Sequence, residues 1–155
     1  MNLSTYKGAN VPDEPLHRVT FRLSYGDCDP AGIVYYANYQ RWMERTHTEW
    51  WFLQGLRFDE LPSRLGVAVV TRASSAEYER TITLFDQIEC RLYASRLGRT
   101  SFTMRADFIR EDATRASTAS LTLVCVDPST PEKPVPVPEP MRRLLMDGGA
   151  EPGRC

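Results

Sequence analysis

The chain has 155 residues, of which 42% are hydrophobic and 25% are charged, as in an ordinary globular protein with one core. Nineteen Lys and Arg residues against twenty Asp and Glu residues leave a formal charge of −1, which gives no general attraction to nucleic acid or to an anionic membrane. No apolar run approaches the roughly 20 residues of a membrane-spanning helix. Residues 1–15 lack the apolar segment of a secretory signal, so we predict a flexible leader on a cytoplasmic protein.

The first predicted elements are a strand and a long helix. Residues 16–25 alternate apolar and polar side chains, which predicts a half-buried strand. Residues 37–54 carry apolar side chains at helical spacing, which predicts one amphipathic helix that Gly55 is placed to end. The apolar stripe of this helix is unusually aromatic and consists of Tyr39, Trp42, Met43, Thr46, Trp50 and Leu53.

The rest of the chain is rich in β-forming residues. After a short helical turn at residues 59–65, further strands are predicted at residues 67–78, 84–95, 100–110 and 116–127. Short links between consecutive strands predict an antiparallel meander. The tail, residues 129–155, is rich in proline, so we expect an extended connector followed by a short helix at residues 141–146.

This order of elements predicts the fold class. A single helix with a wide aromatic face must be covered, and a curved antiparallel sheet that wraps around it is the simplest cover. We therefore predict an α+β protein with the hotdog fold over residues 16–128, in which a five-stranded antiparallel sheet surrounds one long central helix.

The cysteine and histidine residues do not predict a metal site. The four cysteines are far apart and form no CxxC pair, and the chain has only two histidines. We expect reduced thiols. Cys28 lies between Asp27 and Asp29, whose negative charges raise the pKa of a thiol and weaken it as a nucleophile.

The segment between the first strand and the helix resembles a family signature. The stretch YGDCDPAGIVYYANYQRWME, residues 25–44, is similar to the signature of the 4-hydroxybenzoyl-CoA thioesterase family. The likeness extends over most of residues 17–128 and includes VVTRASSAEY and SLTLVCVDP. Within this family, the chain looks most like the bacterial acyl-CoA thioesterases associated with the Tol-Pal cluster.

The resemblance implies a function and an assembly. It implies hydrolysis of an acyl-CoA thioester without a metal or redox cofactor. It also implies an obligate homodimer, often paired into a homotetramer, with two active sites at the subunit interface. Asp29 takes the position of the family's catalytic aspartate, and Asp27 matches the other acid of the motif, which is more often a local structural residue.

The chemistry of a thioester explains why these residues stand together. Hydrolysis needs a nucleophile or base and donors for the developing oxyanion. A helix that begins near Tyr36 or Ala37 directs free N–H groups and the positive end of its dipole toward the turn that carries Asp29. Asp29 then either attacks the carbonyl carbon or deprotonates an attacking water, and the sequence leaves both routes open.

The neighbouring residues have supporting roles in this hypothesis. Pro30 fixes its own φ and favours an extended Asp29, and Gly32 permits a tight turn and the close approach of a ligand. Asn38 caps or braces the helix start. Tyr36 contacts substrate and, with Ala37, offers a backbone N–H.

Other candidate substrate contacts are more distant along the sequence. Tyr35 lines the acyl pocket or only packs, and the same alternatives hold for Tyr36. Arg96 and Arg99 flank a hairpin glycine and either bind the CoA phosphates or form an ordinary solvated turn. Ser74 and Ser75 are candidates for a hydroxyl or N–H contributed by the partner subunit.

Two alternative functions stay open at this point. One is a non-catalytic acyl-CoA-binding dimer, and the other is an enoyl-CoA hydratase, in which a histidine and a carboxylate share the acid and base work. His47 is a poor partner for Asp29 in such a pair, because it lies about 15 Å along the helix axis from the helix start. The choice between aryl and short or medium-chain acyl groups is also open.

Overall fold

The computed structural model describes residues 12–148. Most of the predicted leader, residues 1–11, and the last residues, 149–155, lie outside the described part. In chain order the helices and strands are β1 (His17–Arg22), α1 (Ala37–Leu53), α2 (Leu61–Leu65), β2 (Ala68–Tyr78), β3 (Gln87–Leu97), β4 (Ser101–Arg110), β5 (Arg115–Asp127), β6 (Thr130–Pro134) and α3 (Glu139–Asp147). The predicted α+β class and hotdog fold are confirmed, because a curved antiparallel sheet packs against one long helix.

The long helix α1 forms where the aromatic stripe predicts it. Its buried positions come in pairs four residues apart, ending with Trp50 and Trp51. The stripe therefore continues toward Gln54, and Leu53, which the sequence pattern assigned to the core, is 46% exposed. Gly55 follows the helix with a φ of 80°, a conformation that glycine adopts without strain.

The sheet has a different strand order from the predicted meander. Its order is β1-β3-β4-β5-β2, with every pair antiparallel. The meander holds for β3, β4 and β5, whereas β2 pairs with β5 across the sheet. The link at residues 79–86 is too long for a tight hairpin, and it pairs instead with the segment before α1, where Val34 N–H donates to the Ile82 carbonyl at 2.8 Å.

The proline-rich tail packs against the body of the protein. A sixth strand, β6, pairs with β5, which the prediction of five strands and an extended connector did not include. Helix α3 then buries Met141 and Leu145. Two bonds tie this region to the hairpin after β3: Arg142 Nη1 donates to the Gly98 carbonyl at 2.7 Å, and Val137 N–H donates to the Arg99 carbonyl at 2.9 Å.

The core lies between α1 and the concave face of the sheet. Trp51 is fully buried and its ring centroid lies 4.5 Å from that of Trp50 and 5.7 Å from that of Phe102. The inward positions of β4 and β5 complete this layer. Among the described helices, none is long and apolar enough to cross a membrane.

Candidate active site

Asp27 supports the turn that precedes α1. Its Oδ2 accepts hydrogen bonds from the Ser24 N–H at 2.8 Å and from the Ser24 hydroxyl at 3.0 Å. These bonds close a capping box around the 3-10 turn Tyr25–Asp27. The Asp27 carboxylate therefore stabilises this turn through its two hydrogen bonds from Ser24.

Asp29 begins a second tight turn. Its carbonyl accepts the Gly32 N–H at 2.9 Å, and its own N–H donates to the Ile33 carbonyl at 2.9 Å. Pro30 follows Asp29 in this turn, and Gly32 has a φ of 79°, a conformation that strains residues with a side chain. The Asp29 carboxylate is half-buried, and its Oδ1 accepts the Ala31 N–H at 2.8 Å. The turn thus holds the carboxylate in place while one of its oxygens is left without a hydrogen bond from the described residues.

The two turns are attached directly to the start of α1. The Asp27 carbonyl accepts both the Tyr35 N–H and the Asn38 side-chain amide, each at 2.8 Å. Asn38 is buried in the first turn of α1, so it braces the turn and does not cap the helix. The residue before the helix is Tyr36, and no side chain caps it. The first N–H groups of α1, including that of Ala37, therefore donate no hydrogen bond to a capping side chain.

A cavity of about 330 Å³ lies beside Asp29 and this helix start. Its lining residues come from the turn, from the beginning of α1 and from the segment after β2, and they are Asp29, Ile33, Val34, Tyr36, Tyr39, Tyr78, Glu79, Arg80, Thr81 and Ile82. The sequence predicted Asp29 and Tyr36 at the site but not the segment at residues 78–82. This segment contacts Val34 through the Ile82 carbonyl, and that pairing joins residues far apart in the chain.

Tyr39 forms part of the cavity wall from within the core. Its ring centroid lies 5.2 Å from that of Tyr78. Burial raises the pKa of the Tyr39 hydroxyl to about 12, with a smaller contribution from Tyr78. Tyr39 is therefore a neutral hydroxyl over the physiological range. The helical spacing of Tyr39 predicted a buried position, but a buried residue can either line a cavity or pack in the core, and the spacing is the same in both cases.

The remaining predicted substrate contacts lie outside this cavity. Tyr35 is 44% exposed and stacks edge-on against Tyr36. Ser74 and Ser75 are exposed on β2. The Ser75 hydroxyl lies 2.9 Å from that of Ser120. Arg96 and Arg99 are exposed at the hairpin between β3 and β4. Within one subunit, none of these side chains lines the cavity beside Asp29.

The three described thiols, those of Cys28, Cys90 and Cys125, have raised pKa values, which makes them weak nucleophiles. Burial, followed by the charges of Asp27 and Asp29, raises the pKa of Cys28. Burial raises the pKa of Cys90 to about 12 and that of Cys125 to about 11. No cluster of three or more potential metal ligands occurs within residues 12–148.

His47 is a buried residue of the helix core and does not line the Asp29 cavity. It packs on Phe58 with a distance of 5.9 Å between ring centroids. Burial lowers the pKa of His47 from its ordinary 6.5 to about 4, and the charge of Glu44 opposes this effect only weakly. His47 is therefore neutral at pH 7 and does not pair with Asp29.

We predict that His47 makes the protein less stable in mild acid. The unfolded chain binds a proton at His47 below pH 6.5, whereas the folded protein binds it only near pH 4. The free energy of unfolding therefore falls as the pH drops from 6.5 to about 4, and His47 causes no further loss at lower pH. The loss is about 3 kcal/mol. Urea unfolding at pH 7.5 and pH 4.5 measures it, and His47→Gln should reduce the difference between the two pH values by about this amount. An equal difference in both proteins would contradict the prediction.

Comparison with known proteins shows similarity to thioesterases. Residues 23–145 match the model of the Thioesterase-like superfamily. The chain is 31% identical to the acyl-CoA thioester hydrolase YbgC of Escherichia coli O6:H1 over 116 residues, which are 73% of this chain and 84% of that protein. A shorter stretch of 35 residues, 23% of this chain and 25% of the relative, is 46% identical to the 4-hydroxybenzoyl-CoA thioesterase of a Pseudomonas species.

A solved structure has the same fold. A mutant 4-hydroxybenzoyl CoA thioesterase complexed with 4-hydroxybenzoyl CoA superposes with a TM-score of 0.73 at 22% identity, covering 83% of this chain and 96% of that one. The predicted resemblance is thus confirmed, and because the relatives are named as hydrolases and thioesterases, so is the prediction of a hydrolase. The chain belongs to the Thioesterase-like superfamily and has the hotdog fold.

Proposed function

We propose that this protein hydrolyses acyl-CoA thioesters, with Asp29 as the catalytic carboxylate. The observation that carries the proposal is the position of Asp29 in a cavity wall beside the uncapped start of α1. A half-buried carboxylate with one free oxygen supplies the base or nucleophile. The helix amides supply donors for an oxyanion.

Two routes are compatible with this site. In the first, Asp29 takes a proton from water as the water oxygen attacks the thioester carbon. The resulting oxyanion collapses and expels the CoA thiolate, which takes up the proton from Asp29. In the second, Asp29 attacks the carbon, CoA thiolate leaves, and water hydrolyses the resulting mixed anhydride. In both routes the N–H groups at Tyr36 and Ala37 stabilise the negative charge on the carbonyl oxygen.

A CoA-release assay tests the function. The purified protein is offered a panel of aryl and straight-chain acyl-CoAs, and free thiol is measured. We expect release from at least one thioester. Binding without release across the panel would favour the acyl-CoA-binding dimer, and loss of enoyl absorbance without free thiol would favour the hydratase. The names of the relatives, acyl-CoA thioester hydrolase and 4-hydroxybenzoyl-CoA thioesterase, support the thioesterase.

A homodimer formed through β2 is part of the proposal. Strand β2 is eleven residues long, ends the sheet and is mostly exposed, and such an edge readily pairs with a second chain. Val70 and Tyr78 are 38% and 52% exposed on it. Pairing of two β2 strands would carry Ser74 and Ser75 toward the partner's cavity, which gives these serines a role that they lack in one subunit.

We expect sedimentation velocity at micromolar concentration to give at least twice the chain mass of 17.7 kDa. A mass of twice this value supports the dimer, and four times this value supports its pairing into a tetramer. Val70→Lys on the exposed edge should shift the protein toward the monomer, because a lysine on an edge strand opposes pairing with a second chain. A monomer in the unmodified protein would overturn this part of the proposal.

The hairpin arginines are proposed to bind the CoA phosphates. Arg96 and Arg99 are exposed, and the tail holds their hairpin through Arg142 and Val137. Arginine pairs with phosphate through two N–H groups. We further propose that the enzyme works in the cytoplasm, which cell fractionation would test.

Replacing Arg99 with Met should raise KM for acyl-CoA about tenfold with little change in kcat, because a contact to phosphate is the same in the ground state and the transition state. The N-acetylcysteamine thioester of the same acyl group lacks the nucleotide, so the variant should hydrolyse it like the unmodified enzyme. An equal loss on both substrates would indicate a structural role for Arg99.

A further inference from the structure

Arg80 adds a positive charge to the wall of the active-site cavity. Arg80 lines the same cavity as Asp29, and its backbone N–H donates to the Ala116 carbonyl at 3.0 Å. The backbone bond fixes the position from which the side chain extends. Among residues 12–148, no side chain forms a hydrogen bond or an ion pair with the Arg80 guanidinium. This cation is therefore available to a ligand.

The nearest carboxylates do not neutralise Arg80 by contact. Glu79 lines the cavity beside it but is held by Arg115, whose Nη2 lies 2.6 Å from Glu79 Oε1. Asp112 is the second carboxylate, and hydrogen bonds from Thr114 are the main cause of its lowered pKa. The charge of Arg80 contributes least to that shift, so Asp112 interacts with Arg80 only weakly. Arg80 therefore has no ion pair among the described residues, and the carboxylate with which it interacts at longer range is Asp112.

The other walls suit the carbon skeleton of a compact acyl group. Ile33, Val34 and Ile82 provide apolar surface, and the rings of Tyr39 and Tyr78 lie side by side. The volume of about 330 Å³ is at the lower end of the usual range for ligand pockets, roughly 300 to 1,000 Å³. The cavity can therefore hold a short or single-ring acyl group.

We propose that Arg80 selects acyl groups that carry a carboxylate at the end remote from the thioester. The inference rests on the proposed function, because it takes the reacting carbonyl to lie at Asp29 and the start of α1. A guanidinium pairs with a carboxylate through two parallel N–H donors. Repulsion from Asp29 keeps the second carboxylate at the Arg80 end of the cavity, and this orients the thioester toward the reacting groups.

The phosphates of CoA are a less suitable partner for Arg80. They are separated from the thioester by the long pantetheine arm, whereas Arg80 shares one small cavity with Asp29. The part of this arm next to the thioester carries no charge, so a charged group within reach of both residues must belong to the acyl side of the substrate.

Matched pairs of thioesters test the inference. Glutaryl-CoA and pentanoyl-CoA differ by a terminal carboxylate, and so do 4-carboxybenzoyl-CoA and 4-methylbenzoyl-CoA. In at least one pair, the unmodified enzyme should show kcat/KM about tenfold to a hundredfold higher for the carboxylate member, the usual effect of a charge-assisted hydrogen bond. Arg80→Met should abolish this preference by lowering kcat/KM for the carboxylate member more than for the neutral member, and Arg80→Lys should restore part of it. Arg143→Met on α3, where Arg143 pairs with Glu139, is the matched control and should keep the preference.

Two results would overturn the inference. One is the absence of a preference in both pairs, and the other is an equal loss on both members in Arg80→Met, which would indicate a phosphate contact or a structural role. If neutral thioesters are hydrolysed in an Asp29-dependent manner without any preference, the inference fails and the proposed function stands. If no thioester releases CoA, both fail.

Discussion

Replacing Asp29 with Asn is expected to lower kcat by about a hundredfold or more, the usual cost of losing a general base or a key electrostatic group. The amide has nearly the shape of the carboxylate, and its Oδ1 can still accept the Ala31 N–H that Asp29 accepts at 2.8 Å. The backbone bonds between Asp29, Gly32 and Ile33 do not involve the side chain. The turn should persist, so the loss of activity reports the loss of charge. Thiol release on the best substrate measures kcat, and thermal unfolding verifies the fold.

Asp27→Asn is the matched control for this experiment. Asp27 bonds to Ser24 and faces the local backbone, and an amide oxygen retains one or both of these bonds. We expect kcat within about fivefold of the unmodified enzyme and a loss of stability of about 1 kcal/mol, the usual value of a cap. If Asp27→Asn abolished turnover while Asp29→Asn did not, the two aspartates would have exchanged roles and the proposed mechanism would be wrong.

Replacing Trp51 with Ala is expected to cost about 3 to 5 kcal/mol of unfolding free energy, the usual range for an aromatic residue removed from a core. Trp51 is fully buried and contacts Trp50, Phe58 and Phe102. Its indole N–H has no hydrogen-bond partner among the described residues, so the loss arises from packing and from the cavity left behind. Because domains of this size are stable by about 5 to 15 kcal/mol, the change consumes much of the total. Urea unfolding measures it.

Leu53→Ala provides the control on the same helix. Leu53 belongs to the predicted apolar stripe but is 46% exposed at the end of α1. Its replacement should change the free energy of unfolding by less than about 0.5 kcal/mol. A loss as large as that of Trp51→Ala would contradict the exposed position of Leu53 on α1.

Much of the fold was predictable because it depends on local patterns. The aromatic stripe of α1 has a helical period, and the strands alternate in a period of two, so their positions were predicted to within a few residues. The sixth strand was missed because Thr130–Pro134 contains two prolines, which argue against a strand. At an edge this composition is tolerated, since the N–H groups on one side need no partner.

The candidate site divides in the same way. The sequence by itself determined the turn from Asp27 to Gly32 and its attachment to α1, because capping bonds, a proline, and a glycine at positive φ act within a few residues. Only the tertiary structure decided that β2 pairs with β5 and that the segment after β2 crosses to Val34, bringing Arg80 into the cavity of Asp29. Such pairings join residues far apart in the chain, and their energies depend on which surfaces meet. No local pattern of residues carries that information.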